Sequence, residues 1–105
     1  MKSVYFNTQL KLIDPEAFFA QRLTIGKNLR FIRRRLRKES INFVAKLVGI
    51  SYAYLCKIEN GQANYSLDVF FSICKYYQIN PVELFNEKFP EQYHLPEIKK
   101  RKRKP

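Results

Sequence analysis

The sequence predicts a compact all-α fold of five helices, and three observations carry that prediction. Apolar residues recur at helical spacing, not in alternation, over most of the chain. Each such stretch follows a residue able to cap a helix: Asp14, Ser40, Ser51, Ser66 or Asn80. At 105 residues, 46% hydrophobic and 15% aromatic, the chain holds enough apolar material for one small core and little else.

Residues 1–13 stand apart from that pattern. Val4, Phe6, Leu10 and Leu12 share one parity, interrupted by Thr8, which leaves open a short strand, an extended arm or a loose terminus. Asp14-Pro15-Glu16 then supplies an N-cap, an N1 proline and a first-turn acid. Phe18, Ile25, Leu29, Ile32 and Leu36 fall on one helical face, with Thr24 and Gly26 as places where the helix could break. Arg30, Arg33, Arg34 and Arg37 lie off that stripe and are expected to face water or an anion. Like charges at this spacing weaken an isolated helix, and a polyanion would relieve them.

Ser40 is expected to cap a second helix through about Val48, with Ile41, Val44, Ala45 and Val48 as its apolar side. Gly49 suits the positive φ that ends a helix, and Ser51 starts the next, from Tyr52 to about Glu59. Leu55 and Ile58 belong to the core, and Tyr54 to its edge. Asn60-Gly61 stops this third helix, and 61–65 form a polar loop. Ser66 caps a fourth, with a core face of Leu67, Phe70, Ile73, Cys74 and Tyr77. Asn80-Pro81-Val82-Glu83 opens a short fifth helix carrying Leu84 and Phe85. The pattern ends after Phe89-Pro90. The expected organisation is an N-terminal extension over 1–22, a helical domain over 23–88 and a basic flexible tail over 89–105.

Charge is concentrated in two places. The net charge is +11; residues 27–38 hold seven basic side chains and no acid, and residues 99–104 hold six more. Residues 40–98 hold four Lys against six Asp and Glu, a net of −2. One basic helix and one basic tail favour a polyanion partner over a merely solubilising surface. The tail suits nonspecific phosphate contact, a localisation patch or a solvated end, with the first preferred.

Other function classes find little support. The one histidine, His94, has no nucleophile arranged with it, the carboxylates show no metal spacing, and no Gly-rich phosphate loop is present. No enzyme activity, cofactor or metal is expected. Cys56 and Cys74 form no CxxC pair and read as reduced thiols. No apolar run of membrane-spanning length occurs, and Met1-Lys2-Ser3-Val4-Tyr5 lacks a secretory apolar region, so a cytoplasmic, nucleoid-associated protein is expected.

Two helices of about eight residues joined by a Gly49-centred turn make a helix-turn-helix. Val44-Ala45, Gly49-Ile50-Ser51 and Tyr54-Leu55-Cys56-Lys57-Ile58-Glu59-Asn60-Gly61 resemble the lambda-repressor/Cro-like helix-turn-helix family of DNA-binding regulators. The similarity extends from Ile25-Gly26-Lys27-Asn28-Leu29-Arg30-Phe31-Ile32-Arg33 to Pro81-Val82-Glu83-Leu84-Phe85, about sixty residues in the family's order. The second helix of such a motif enters the major groove N-terminus first. By position this nominates Ser51, Tyr52, Ala53, Cys56 and Lys57 for base contacts, and the resemblance implies that Tyr52, Ala53 and Lys57 face the bases. Lys57 suits guanine O6/N7 and Ala53 a thymine methyl; Tyr52 suits a methyl or a phosphate better than bidentate readout. Its ring packing on its own helix is the bland alternative.

The resemblance further implies a phosphate contact at Asn60. Gln62, the backbone N–H groups around 60–62, and Lys27, Arg30 and Arg34 are assigned to phosphate with it. The family's glutamine at the start of the second helix is missing here; Ile41 cannot replace it, whereas Ser40 and Asn42 can. Glu59 is implied to form a structural salt bridge with Arg33, or with Arg34. The leading expectation is a sequence-specific regulator of duplex DNA, a repressor acting as a homodimer. The dimer surface would come from Phe85, Phe89 and Tyr93 or from the 4–12 arm. Two alternatives stand beside it: the antitoxin of a toxin–antitoxin pair, which would also bind a toxin protein, and a protein- or RNA-interaction module on the same fold.

Overall fold

A computed structural model describes residues 14–95; the expectations for 1–13 and for the 99–105 tail lie outside the described residues. Four α-helices follow one another: α1 (Pro15–Phe31), α2 (Ile41–Val48), α3 (Tyr52–Glu59) and α4 (Leu67–Tyr77). A π-helical turn, Ile32–Leu36, extends α1, and two 3-10 turns, Pro81–Phe85 and Phe89–Gln92, follow α4. No strand occurs among the described residues.

Each α-helix starts where a side chain relieves its orphan amides. The Asp14 carboxylate accepts from the Ala17 N–H, and Ser40, Ser51 and Ser66 hydroxyl oxygens accept from Phe43, Tyr54 and Val69. α2 ends at Gly49, whose φ of +92° is left-handed, and the chain bends by 108° between α2 and α3. That angle is typical of a helix-turn-helix.

α1 runs unbroken through Thr24 and Gly26, the two places where the sequence left a break open. Gly26 is a contact, not an interruption: a Cβ on it would stand 2.4 Å from the Glu59 carbonyl oxygen. The missing side chain lets the backbone of α1 pass directly against the end of α3. Phe18 does not join the core stripe and is 43% exposed. Residues 14–21 are all exposed, so among the described residues the first turns of α1 lie at the margin of the packed body.

The π turn alters the face of the chain that follows. Arg37 N–H donates to the Ile32 carbonyl at 2.8 Å, an i to i+5 bond that takes up one residue more than an α-turn. Ile32 stays buried, Leu36 is half-buried, and Arg33 turns inward. The expectation that Arg33 faces water or phosphate is therefore wrong.

The core gathers Leu29 and Ile32 from the first helical segment, Val44, Leu55 and Ile58 from α2 and α3, and Phe70 and Ile73 from α4. Leu67, expected with them, is 68% exposed, because the first residue of α4 points past the end of the packed face. The expected fifth helix is a 3-10 turn: the Asn80 side chain caps it through Val82 N–H, Leu84 is fully buried and Phe85 is 51% exposed. Asn28, buried in α1, donates to the Leu84 and Asn86 carbonyls at 2.8 and 2.9 Å. Those two bonds tie the turn to α1 and satisfy the buried amide. The packed body continues past residue 88. Phe89 is fully buried, with its ring 6.1 Å from Phe31 and 5.3 Å from Tyr93, so Phe89 is a core residue and not a dimer contact.

Candidate nucleic-acid interface

α3 has two faces. Leu55, Ile58 and Glu59 are buried, Cys56 is half-buried, and Tyr52, Ala53 and Lys57 are exposed, with Ser51 exposed at the cap. Residues three and four apart share a helical side, so 52, 53, 56 and 57 form one outward strip. Ser51 Oγ accepts from Tyr54 N–H, which leaves its hydroxyl proton to donate outward. Tyr52 is 53% exposed; a hydrogen bond with the Cys56 thiol one turn on raises its phenol above the usual range.

Around this strip lie the groups assigned to phosphate. Ser40 and Asn42 are exposed at the start of α2, and Asn60 and Gln62 are exposed after α3. Arg30 reaches across from α1 and donates to the Asn60 Oδ1, so these two groups act as one unit. Lys27 on α1 and Arg34 on the π turn are exposed, and together with Arg30, Phe31, Arg35 and Pro90 they line a basic hollow of about 420 Å³. The backbone N–H groups of 60–62 are a correction. They donate to the carbonyls of Cys56, Ile58 and Lys57 respectively, so the α3 terminus has already used them.

Arg33, and not Arg34, meets Glu59. Its Nε donates to Oε2 at 2.8 Å and its Nη2 to Oε1 at 2.9 Å, while Nη1 donates to the Glu39 carbonyl at 3.0 Å. The bidentate pair raises the Arg33 pKa despite the opposing effect of burial. Arg30 adds a looser ion pair with Glu59 at 3.7 Å. The single carboxylate of α3 is thus held inside, and the exposed strip carries no negative charge.

A second polar cluster escaped sequence reasoning. Tyr76 OH donates to Glu39 Oε2 at 2.8 Å, Arg37 Nε lies 3.3 Å from Glu39 Oε1, and the Arg37 guanidinium sits 4.8 Å from the Tyr76 ring centroid. It clamps the loop before α2 to α4. Only the closeness of Arg37 and Glu39 in the chain hinted at it.

Among the described residues no group of His, Cys, Asp or Glu is arranged to hold a metal ion, and no single helix is long and apolar enough to cross a membrane. A helix-turn-helix family model matches residues 29–84, more than half of the chain. No curated protein matches, and no solved structure does. The matched span takes in the end of α1, the α2–turn–α3 unit, α4 and the turn through Leu84. The chain belongs to the lambda-repressor/Cro-like helix-turn-helix family, whose members are DNA-binding regulators.

Proposed function

We propose that this protein is a sequence-specific regulator of transcription, a repressor, that reads duplex DNA with α3 in the major groove. The observation that carries the reading is the sorting of α3. Ser51, Tyr52, Ala53 and Lys57 face outward, and Glu59 is neutralised inside by Arg33. Lys57 donates to a guanine edge, Ala53 and the Tyr52 ring contact apolar groups such as a thymine methyl, and Ser51 adds one hydroxyl donor. Cys56 fills the strip between them. Ser40 and Asn42 on one side, and Asn60, Gln62, Lys27, Arg30 and Arg34 on the other, hold the flanking phosphates and set the register. One such domain covers little DNA, so two copies on half-sites about one helical turn apart complete the reading. A protein of this kind works in the cytoplasm, on the nucleoid.

The test is selection from a random duplex pool at roughly physiological salt, where nonspecific attraction is already weakened. An enriched palindrome is expected. Lys57→Ala should then relax the preference at one base pair per half-site, at about 1–3 kcal/mol on the selected sequence. Retention without enrichment would leave a basic polyanion binder. In that case a protein partner, such as a toxin, becomes the object of the search.

A further inference from the structure

An apolar groove of about 300 Å³ lies beside the projecting start of α1, away from the strip described above. Its apolar lining comes from Phe18 and Ile25 on α1, Tyr65 ahead of α4, Leu67 and Phe70 on α4, and Phe85 on the 3-10 turn. Leu67, Phe85 and Phe18 are 68%, 51% and 43% exposed. A lone exposed apolar side chain needs no explanation, but three large ones around one groove mark a surface built to be covered. The surroundings are acidic: Asp68 follows Leu67, Glu83 and Glu87 flank Phe85, and Glu87 lines an adjoining hollow with Gln21. Among the described residues the cation in the lining is Arg22, which donates to the Gly61 carbonyl at 3.3 Å and lies over the Phe19 ring.

The chain carries a segment of complementary chemistry at the right place. Residues 1–13 hold Val4, Phe6, Leu10 and Leu12 on one parity, Lys2 and Lys11, and no acid. They lead directly into Asp14, one helical turn ahead of Phe18. Seven extended residues reach about 23 Å, while α1 rises only about 10 Å between Phe18 and Ile25, so the segment can turn back along the groove with chain to spare. A short tether holds it near the groove at an effective concentration on the order of millimolar, above that of any second copy at ordinary protein concentration.

We propose that residues 4–12 dock into this groove of their own chain, with Val4, Phe6, Leu10 and Leu12 against its apolar lining and Lys11 toward the acidic rim. The segment covers the exposed phenylalanines and braces the start of the helix whose Gly26 supports α3. This inference stands apart from the DNA reading and fails or holds without it.

Isotope-filtered NOE spectroscopy on the full chain tests it directly. Methyl groups of Val4, Leu10 and Leu12 should show NOEs to the rings of Phe18, Phe70 or Phe85 in a uniformly labelled sample. A mixture of labelled and unlabelled chains should give none between copies. Leu67→Asp, at a site exposed enough to be tolerated by the fold, should remove the NOEs while the core methyl shifts of Leu29 and Ile58 stay put. Absence of the contacts in the parent chain would overturn the docking, as would their survival in Leu67→Asp. Contacts found between copies would overturn the intramolecular assignment and make the groove a dimer contact.

Discussion

A carboxylate on a helix that approaches DNA is repelled unless something else claims it, and Glu59 is claimed by Arg33. Its side chain is 1% exposed and that of Arg33 9%, so neither has water to fall back on. Removing either partner leaves the other charge buried and alone, which costs about 3–5 kcal/mol. Glu59→Ala and Arg33→Ala should therefore each lower stability by that order in denaturant unfolding, and the double variant should lose less than the sum. Arg30→Ala offers the contrast. Arg30 is 40% exposed and 3.7 Å from Glu59, so its loss should change stability by about 1 kcal/mol or less. Additive losses in the double variant would mean that the two side chains do not depend on each other. The family resemblance put Arg33 ahead of Arg34 for this role, and helical spacing agrees, since Arg33 stands four residues past the buried Leu29. The π turn that follows was not legible, because an i to i+5 bond is invisible in a pattern read at 3.6 residues per turn.

Among the elements, the helix starts were the most legible feature, because a cap is a local event between neighbours in the chain. Ser40, Ser51 and Ser66 each bond the amide three residues on. Features that depend on distant partners were legible only in part. Phe18 and Leu67 match the apolar spacing of their helices, yet both sit where the helix overhangs its neighbours. Asn28 looked like any polar residue on a basic helix until Leu84 and Asn86 came within reach. The outward strip of α3 was readable from motif position, whereas the use of the 60–62 amides inside the α3 terminus was not. Two glycines separate local from tertiary demands. At Gly49 a Cβ meets nothing within 4 Å, but its φ of +92° strains any L side chain, so Gly49→Ala should cost about 1 kcal/mol. At Gly26 the added Cβ would stand 2.4 Å from the Glu59 carbonyl oxygen, and two backbones must separate to admit it. Gly26→Ala should cost more than Gly49→Ala, about 3 kcal/mol or beyond, and should weaken DNA binding in the fraction that still folds, since α3 is displaced. Equal melting temperatures for the two variants would show that α1 and α3 are free to slide.

For the whole molecule, two opposed demands meet: a core that must stay neutral and a surface charged to +11. Burial pushes the Cys74 thiol up to about 11 and the Tyr65 phenol up to about 12, from 9.0 and 10.0. Both pKa values are raised by folding, so their contribution is intact below about pH 9. As pH climbs from about 9 to 12 the unfolded chain gives up protons that the folded chain keeps, and stability falls. The thermal midpoint should be lower at pH 11 than at pH 8, measured in about 0.5 M salt so that relief of surface repulsion does not mask the trend. The surface charge is placed for a different purpose. Lys27 and Arg30 on α1 and Arg34 on the π turn form a ridge that the Arg30–Asn60 bond joins to the end of α3. A phosphate backbone leaving the α3 end of the groove would therefore run onto α1. Each phosphate neutralised by a Lys or Arg contributes about 0.9 to the slope of log affinity against log salt. On the proposed assignment of Lys27 and Arg34 to phosphate, replacing both by alanine should lower that slope by about 2 and leave the selected sequence unchanged. An unchanged slope would place the α1 ridge off the DNA. A changed sequence preference would instead make one of the two a base-reading group and move the docking axis of α3.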